Sequence, residues 1–387
     1  MHLMAPVLRD YAWGTTRDIP ELLCLPETGK PVAEAWWGAH VSAPSRADSV
    51  DGPLTLDELI VAEPDDCLGA DAAARWGARL PFLLKLLAIH KPLSIQVHPT
   101  LAEAQQGFAA EQRGTGGRPH SFQDPFHKPE MVYALTPMTV LAGVRPIAGI
   151  VADLEALATP AAAALAATLG SGDLDDFMVA TLGGGVDDAT FDALAAAGAL
   201  APEGSSLAVA AHALAHFPAD PGAIVALALN VVQLAPGDAV YTGAGVLHSY
   251  QSGLGIEIMA NSDNVVRGGL TSKQIDVPLL LRLSDTHPAP PAVPAVTHDG
   301  AAVTLATEAE EFALTVVTDG SATVEAGPRI VLAVQGSAVI EAGGERLELS
   351  RGQAAFVPFA SGAARVTAVG TAVIARLRPD PVPEDPS

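Results

Sequence analysis

The segment LAPGDAVYTGAGVLHSY (residues 234–250) resembles the segment LSRGQAAFVPFASGA (residues 349–363). Each contains a glycine turn, a short apolar strand, a second turn and the start of another strand. We interpret them as equivalent hairpins of two similar β-barrels. Only the first hairpin carries a histidine, His248, so a site that uses this residue is expected in one barrel alone.

The rest of the chain divides into β-rich and helical parts. Apolar runs bounded by turn residues and prolines indicate strands on both sides of a long segment rich in alanine and leucine. In that segment the apolar residues lie three and four apart, which is typical of helices. We therefore predict a mainly β fold with an α-helical domain, divided into a discontinuous N-terminal barrel (1–146 and 230–286), an inserted helical domain (147–229), a C-terminal barrel (287–379) and a disordered tail (380–387).

Composition restricts the classes of partner. The 387-residue chain is 49% hydrophobic and carries a formal net charge of −23, which opposes binding to nucleic acid or to an anionic membrane. The N-terminus does not have the pattern of a secretory signal, and Cys24 and Cys67 form no CxxC pair. We expect a soluble, cytoplasmic monomer, and any site for an anionic ligand must supply its own positive charges.

The segment LSIQVHPT (residues 93–100) places two candidate metal ligands on one strand. Because successive side chains of a strand alternate, Gln96 and His98 share one face, and Ile95 and Val97 share the other. An exposed polar strand would show the same alternation. A metal site requires further ligands from other strands.

Glu130, in HKPEMVYAL, and His248, in GVLHSY, lie on predicted strands and are candidates for those further ligands. Two imidazoles, a carboxylate and an amide suit zinc or another divalent transition metal better than calcium or magnesium. Only five of the 21 basic residues are lysines, and four of the five lie in or beside these motifs: Lys85, Lys91, Lys128 and Lys273. The clustering suggests that positive charge is concentrated around the candidate site.

Three longer motifs, LSIQVHP, DPFHKPE and GVLHSYQSGLGIEIMANSDNVVRGGLTSK, resemble the signature stretches of the type I mannose-6-phosphate isomerases, which are zinc enzymes of the cupin superfamily. DYAWG and AEAWWGAHVSAPS resemble the opening of that family, so the similarity covers most of residues 10–145 and 231–280. The chain departs from the pattern at Ser272, where a proline is expected, and at the aromatic pair Trp36 and Trp37. None of these residues is a predicted ligand.

The resemblance implies two cupin-like jelly-roll barrels and an isomerase that interconverts mannose 6-phosphate and fructose 6-phosphate through an enediol. It also implies one Zn²⁺ per chain and a small sugar phosphate as substrate. The family's zinc ligands correspond to the four residues already selected from the strand pattern: Gln96, His98, Glu130 and His248.

The resemblance also assigns catalytic and substrate-binding positions. Arginine can bind an oxyanion through two parallel hydrogen bonds, and the remaining catalytic candidates could each serve as general acid or base. The residues alone do not choose among them. The catalytic positions are Arg267, Lys128, His127, Asp263 and Glu257, and the substrate-binding positions are Lys85, Ser94 and Tyr250.

Two other functions are compatible with these candidate metal ligands. Two histidines and a carboxylate also hold Fe(II) in oxygenases, and a cupin could bind a sugar phosphate without turnover. Among the other histidines, His90 in LLAIH is interpreted as structural. His212 and His216 are four residues apart in AHALAH, but the sequence supplies no third ligand, so we predict no metal there.

Overall fold

The computed structural model describes residues 1–48, 52, 54–114, 120–170 and 174–379. The predicted disordered tail, residues 380–387, lies outside this part of the chain. Within it, no helix has both the length and the apolar character needed to cross a membrane.

Strands contribute more residues than helices to the described structure, so the prediction of a mainly β protein that contains helices is confirmed. The strands are β1 (His2–Ala5), β2 (Val7–Arg9), β3 (Glu34–His40), β4 (Ala43–Pro44), β5 (Arg46–Ala47), β6 (Leu54–Thr55), β7 (Phe82–Ile89), β8 (Ile95–Val97), β9 (Glu130–Ala134), β10 (Met138–Val144), β11 (Leu229–Leu234), β12 (Ala239–Thr242), β13 (His248–Ala260), β14 (Val266–Gly269), β15 (Ala295–Asp299), β16 (Ala302–Ala306), β17 (Ala313–Val324), β18 (Arg329–Ala342), β19 (Glu345–Ser350), β20 (Ala354–Val357) and β21 (Ala364–Arg376).

Most of the longer helices begin at a residue whose side chain accepts a hydrogen bond from a backbone N–H of the first turn, as Thr100, Thr159, Asp187 and Ser205 do. The α-helices are α1 (Asp18–Leu22), α2 (Leu56–Ala62), α3 (Pro64–Leu68), α4 (Ala70–Trp76), α5 (Leu101–Gln112), α6 (Ile147–Ala156), α7 (Pro160–Leu169), α8 (Leu174–Leu182), α9 (Asp188–Leu200), α10 (Ser206–His216), α11 (Gly222–Val225) and α12 (Val277–Leu283). Short 3₁₀ helices occur at Ala226–Ala228 and Phe359–Ser361.

The described chain forms two compact units. The first contains Met1–Leu87, Ile256–Asn261 and the residues from Val293 onward. Its larger sheet has the order β15-β16-β17-β21-β18-β20-β1-β5-β6, with β19 paired to β18. Buried Val331, Val366 and Ile374 belong to the hydrophobic core of this sheet. In the same unit β3 pairs with β2 and β7.

The second unit contains Ala88–Gly255 and Ser262–Ala292. Strand β10 pairs with β11 and β13, β8 pairs with β13 and β14, and β9 pairs with β12. Ile95 and Val97 are fully buried in a hydrophobic cluster that also contains residues of helices α6 to α12. The predicted alternation of β8 is confirmed, because its apolar face packs into this helical core and Gln96 faces the other way.

Helices α6 to α11 fall within the segment predicted to be helical. The predicted division into an N-terminal barrel, a helical domain and a C-terminal barrel stays a prediction.

Candidate metal centre

Four neighbouring strands of the second unit place a row of residues across one sheet. His248 on β13 lies opposite Ala142 on β10 and opposite Gln96 on β8, and Gln96 lies opposite Arg267 on β14. Directly opposite residues of antiparallel strands project to the same face, with Cβ atoms about 5 Å apart. The register therefore brings three predicted site residues side by side.

A second set of side chains converges beside this row. His98, Glu130 and His248 are fully buried, and one ligand atom from each lies within 4.8 Å of the others. Glu130 Oε2 is 3.3 Å from His98 Nε2, and Glu130 Oε1 is 2.9 Å from His248 Nε2. Three of the four predicted zinc ligands thus point to one place, and the sheet register puts Gln96 next to His248.

Backbone carbonyls fix the orientation of both imidazoles. His98 Nδ1 donates to the carbonyl oxygen of Asn264 at 2.6 Å, and His248 Nδ1 donates to that of Val246 at 2.8 Å. Because a carbonyl only accepts, Nδ1 carries the proton of the neutral ring and Nε2 keeps its lone pair. Metal-binding histidines commonly make this type of hydrogen bond through their other nitrogen.

The donor atoms fit a divalent transition metal. Among the described residues, His248 Nε2 is buried without a hydrogen-bond partner, although it faces the carboxylate of Glu130. Two imidazole nitrogens and a carboxylate that converge away from water form a site that attracts a cation. Imidazole nitrogen and carboxylate oxygen are ordinary ligands of zinc.

Lys128 and Tyr250 contact the same carboxylate. Lys128 Nζ lies 2.5 Å from Glu130 Oε2 and 3.4 Å from His98 Nε2. The hydroxyl of Tyr250 donates to Glu130 Oε1 at 3.1 Å. A positive charge and a hydroxyl donor are therefore built into the wall of the cluster.

Burial and Lys128 determine the charges of the candidate ligands. Burial, followed by the charge of Lys128, lowers the pKa of His98 to about 4. Burial alone would raise the pKa of the Glu130 carboxyl, but the adjacent Lys128 ammonium holds that pKa well below its usual value. At neutral pH the cluster thus has a neutral imidazole at His98 and a carboxylate at Glu130, which are the forms that bind metals.

In metal-free protein we expect the free energy of unfolding to fall between pH 7 and pH 5. The pKa of His98 is about 4 in the folded chain against a reference value of 6.5, so the unfolded chain takes up the proton first. The free energy of unfolding is highest above the pKa that His98 has in the unfolded chain and falls as the pH approaches its pKa in the folded chain. Between pH 7 and pH 5 the loss is roughly 2 kcal/mol. Urea unfolding in EDTA measures the change.

His98→Asn is the matched control for this pH dependence. It removes the titrating ring while keeping a polar side chain, so its urea midpoint should depend less on pH than that of the natural chain. An equal pH dependence in the two proteins would contradict the assignment to His98.

Arg267 lies next to Gln96 with its guanidinium half-buried. Across the described residues, its side chain has neither an ion pair nor a hydrogen bond, and burial lowers its pKa. A partly desolvated cation without a carboxylate partner attracts an anionic ligand. The position suits an oxyanion of a ligand bound beside the cluster.

Lys85 and Glu257, two further predicted site residues, belong to the first compact unit. Both are buried, and Lys85 Nζ lies 3.0 Å from Glu257 Oε2. The same ammonium lies 4.8 Å from the centre of the Trp36 ring, whose Nε1 donates to Glu34 Oε2 at 2.5 Å. The sequence did not single out Glu34.

The remaining predicted residues lie near the chain segments that carry the cluster. Ser94 precedes β8 by one residue and is half-buried, and His127 precedes Lys128 and is also half-buried. Asp263 is exposed, and its backbone N–H donates to Asp124 Oδ2 at 2.8 Å.

Asn264 is the main residue of the site region that sequence reasoning missed. It is fully buried, and its side-chain amide donates to the carbonyl oxygens of Asp124 and Phe126 at 2.8 and 2.7 Å. Its own carbonyl oxygen accepts from His98 Nδ1. Asn264 therefore ties the segment that leads into Lys128 and Glu130 to a candidate ligand. The only signal was its place in the motif NSDN.

Comparison with known proteins gives one consistent result. Residues 1–147 match the family described as Phosphomannose isomerase type I, catalytic domain. Mannose-6-phosphate isomerase of Escherichia coli (strain K12) is 32% identical over 385 residues, which cover 96% of this chain and 97% of that protein.

Solved structures agree over nearly the whole chain. A mutant of phosphomannose isomerase from Salmonella typhimurium has a TM-score of 0.90 and 30% identity, covering 98% of this chain and 100% of that one. A mannose 6-phosphate isomerase bound with zinc and yttrium has a TM-score of 0.88 at 30% identity and the same coverage. The chain therefore belongs to the type I phosphomannose isomerase family, as its sequence motifs predicted.

Proposed function

We propose that this chain interconverts mannose 6-phosphate and fructose 6-phosphate, and relatives named mannose-6-phosphate isomerase support the proposal. The convergence of His98, Glu130 and His248 on one point, in a chain of this family, carries the proposal. Two alternatives, an Fe(II) oxygenase and a cupin that binds a sugar phosphate without turnover, would use a similar set of metal ligands. Membership in the phosphomannose isomerase family supports the isomerase over both.

The cofactor proposed is one Zn²⁺ per chain, held by Gln96, His98, Glu130 and His248. Two imidazoles, a carboxylate and an amide oxygen suit a borderline transition metal. Bound there, zinc would supply a Lewis acid that stabilises negative charge developing on the sugar oxygens. A relative bound with zinc supports the choice of metal.

The side chains of the chain itself would bind the substrate and move its proton. Conversion of an aldose to a ketose phosphate transfers a proton between C1 and C2 through an enediol, which requires a positioned acid–base group. We assign to Lys128 the general-acid half of that transfer, the donation of a proton to a sugar oxygen, since it contacts two of the proposed ligands. Arg267 would bind the phosphate, and Tyr250 would orient Glu130 through its hydrogen bond.

The proposed architecture is a pair of cupin-like barrels. Strands β11, β12 and β13 follow one another with turns like those that separate β19, β20 and β21, which supports the equivalence of the two hairpins inferred from sequence. Only the first set carries the histidine. A monomeric state and a cytoplasmic location also stay predictions.

Removal and return of the metal test the proposed function. Protein stripped with EDTA should fail to convert mannose 6-phosphate to fructose 6-phosphate, and Zn²⁺ should restore the activity. Mg²⁺ is the control metal, because it prefers an all-oxygen octahedral shell and should not restore activity. Full activity in protein shown by elemental analysis to be metal-free would rule out the proposal.

A further inference from the structure

Three histidines form a second cluster in the second compact unit, apart from the proposed ligand set. His212 and His216 lie on one face at the end of α10, and His90 directly follows β7. The ring centres of His212 and His216 are 4.8 Å apart, and those of His90 and His216 are 6.2 Å apart. The fold thus supplies the third imidazole that the sequence did not show for the pair on α10.

The spacing of the two rings on α10 suits a shared metal ion. In the proposed zinc centre the ring centres of His98 and His248 are 4.9 Å apart, nearly the same as in the pair on α10. Zinc–nitrogen bonds of about 2 Å in tetrahedral geometry place neighbouring imidazole centres about 5 Å apart. Among the described residues, the ring nitrogens of these three histidines do not all lie within 4.8 Å of one another, so metal binding requires the exposed His90 side chain to rotate towards the pair on α10.

The ring nitrogens of the cluster are available for binding. In the described parts of the chain, no hydrogen bond or ion pair involves the side chain of His90, His212 or His216. Burial, followed by the neighbouring histidines, lowers the pKa of His212 and His216, and Lys91 adds to the effect at His216. The neutral ring, which is the metal-binding form, is favoured accordingly.

The end of the helix also favours a cation. His216 is the last residue of the 11-residue helix α10, where the backbone carbonyls give the helix terminus partial negative charge. The positive charge of Lys91 acts in the opposite direction, so the imidazole bonds must provide most of the binding energy. The cluster is exposed or half-exposed, which leaves water to complete the coordination shell.

We propose that His90, His212 and His216 form a second metal site that binds Zn²⁺, Ni²⁺ or Cu²⁺ through imidazole nitrogen. Ions that require oxygen ligands, such as Mg²⁺ and Ca²⁺, should not bind there. Because the ligands come from a helix end and from the residue after β7, the bound ion would join these two elements. The site is independent of the isomerase chemistry.

Zinc titration of the zinc-loaded protein tests this site without reference to activity. Calorimetry should detect one zinc ion per chain beyond the ion at the proposed catalytic centre. His216→Asn and His90→Asn should each weaken the additional binding by more than about tenfold, since each removes a direct ligand. His298→Asn, at an exposed histidine on β15, is the matched control and should bind as the natural chain does.

Thermal unfolding gives a second readout. Added zinc should raise the melting temperature of the zinc-loaded natural chain, because a ligand that binds only the folded state stabilises it, and both asparagine variants should lose this rise. Absence of an additional zinc ion would overturn the proposal. So would unchanged binding in His90→Asn, which would reduce the site to the pair on α10.

Discussion

Glu130→Gln is expected to remove the catalytic metal and to lower kcat/KM for mannose 6-phosphate by about three orders of magnitude. A metal that acts as Lewis acid contributes several kcal/mol to the transition state, and about 1.4 kcal/mol corresponds to a factor of ten in rate. The substitution keeps the size of the side chain and removes only its charge. The measurements are zinc content by elemental analysis and steady-state kinetics.

The position of Glu130 explains why this single charge has so large an effect. The carboxylate is fully buried and contacts His98, His248, Lys128 and the hydroxyl of Tyr250. An amide at this position would leave the Lys128 ammonium buried without a counter-charge, which is strongly destabilising. We therefore expect a lower melting temperature together with the loss of metal.

Asp153→Asn separates these two effects. Asp153 forms a partly buried ion pair with Arg145 in the same compact unit, and it lies outside the proposed ligand set. Its amide variant should lose stability but retain zinc and activity. If Glu130→Gln kept a full complement of zinc, the assignment of Glu130 as a ligand would be wrong.

Local sequence patterns predict the parts of the site that depend on strand alternation. Gln96 and His98 could be assigned to one face because the period of a strand is two residues, and the burial of Ile95 and Val97 follows from the same rule. The helical segment can also be predicted, since its apolar residues repeat at helical spacing.

Features that depend on which strands become neighbours could not be read from one sequence. The row that joins His248, Gln96 and Arg267 is set by the pairing of β8 with β13 and β14, and no local pattern specifies those partners. The same holds for Asn264, whose carbonyl orients His98 across 166 residues of sequence. The sequence also gives no sign that His90 lies next to α10, because only the folded chain brings the two together.

In the proposed centre, metal binding and substrate binding depend on different residues: the metal ligands and Arg267. His98, Glu130 and His248 are buried, and Lys128 lies beside the Glu130 carboxylate as its counter-charge. The half-buried guanidinium of Arg267, in contrast, has no carboxylate partner among the described residues. A cation of this kind is stabilised when an anionic substrate binds. Loss of substrate binding and loss of metal should therefore be separable by mutation.

Arg267→Gln is expected to retain zinc and the melting temperature while lowering kcat/KM for mannose 6-phosphate by about two orders of magnitude. Two hydrogen bonds from a guanidinium to a phosphate contribute roughly 3 kcal/mol, and their loss should appear mainly as a higher KM. Because the natural guanidinium is desolvated without a partner, removing it should not destabilise the fold. Inorganic phosphate, a competitor for the same cation, should inhibit the variant more weakly.

Arg282→Gln, at an exposed arginine in the last turn of α12, is the control for a general loss of positive charge and should leave KM unchanged. The phosphate inhibition constant decides between two roles for Arg267. A parallel rise of KM and of the inhibition constant places the guanidinium at the phosphate, since both ligands then lose the same contact. A fall in kcat with both constants unchanged would instead place it at the oxygens of the reacting carbons and would contradict the assignment.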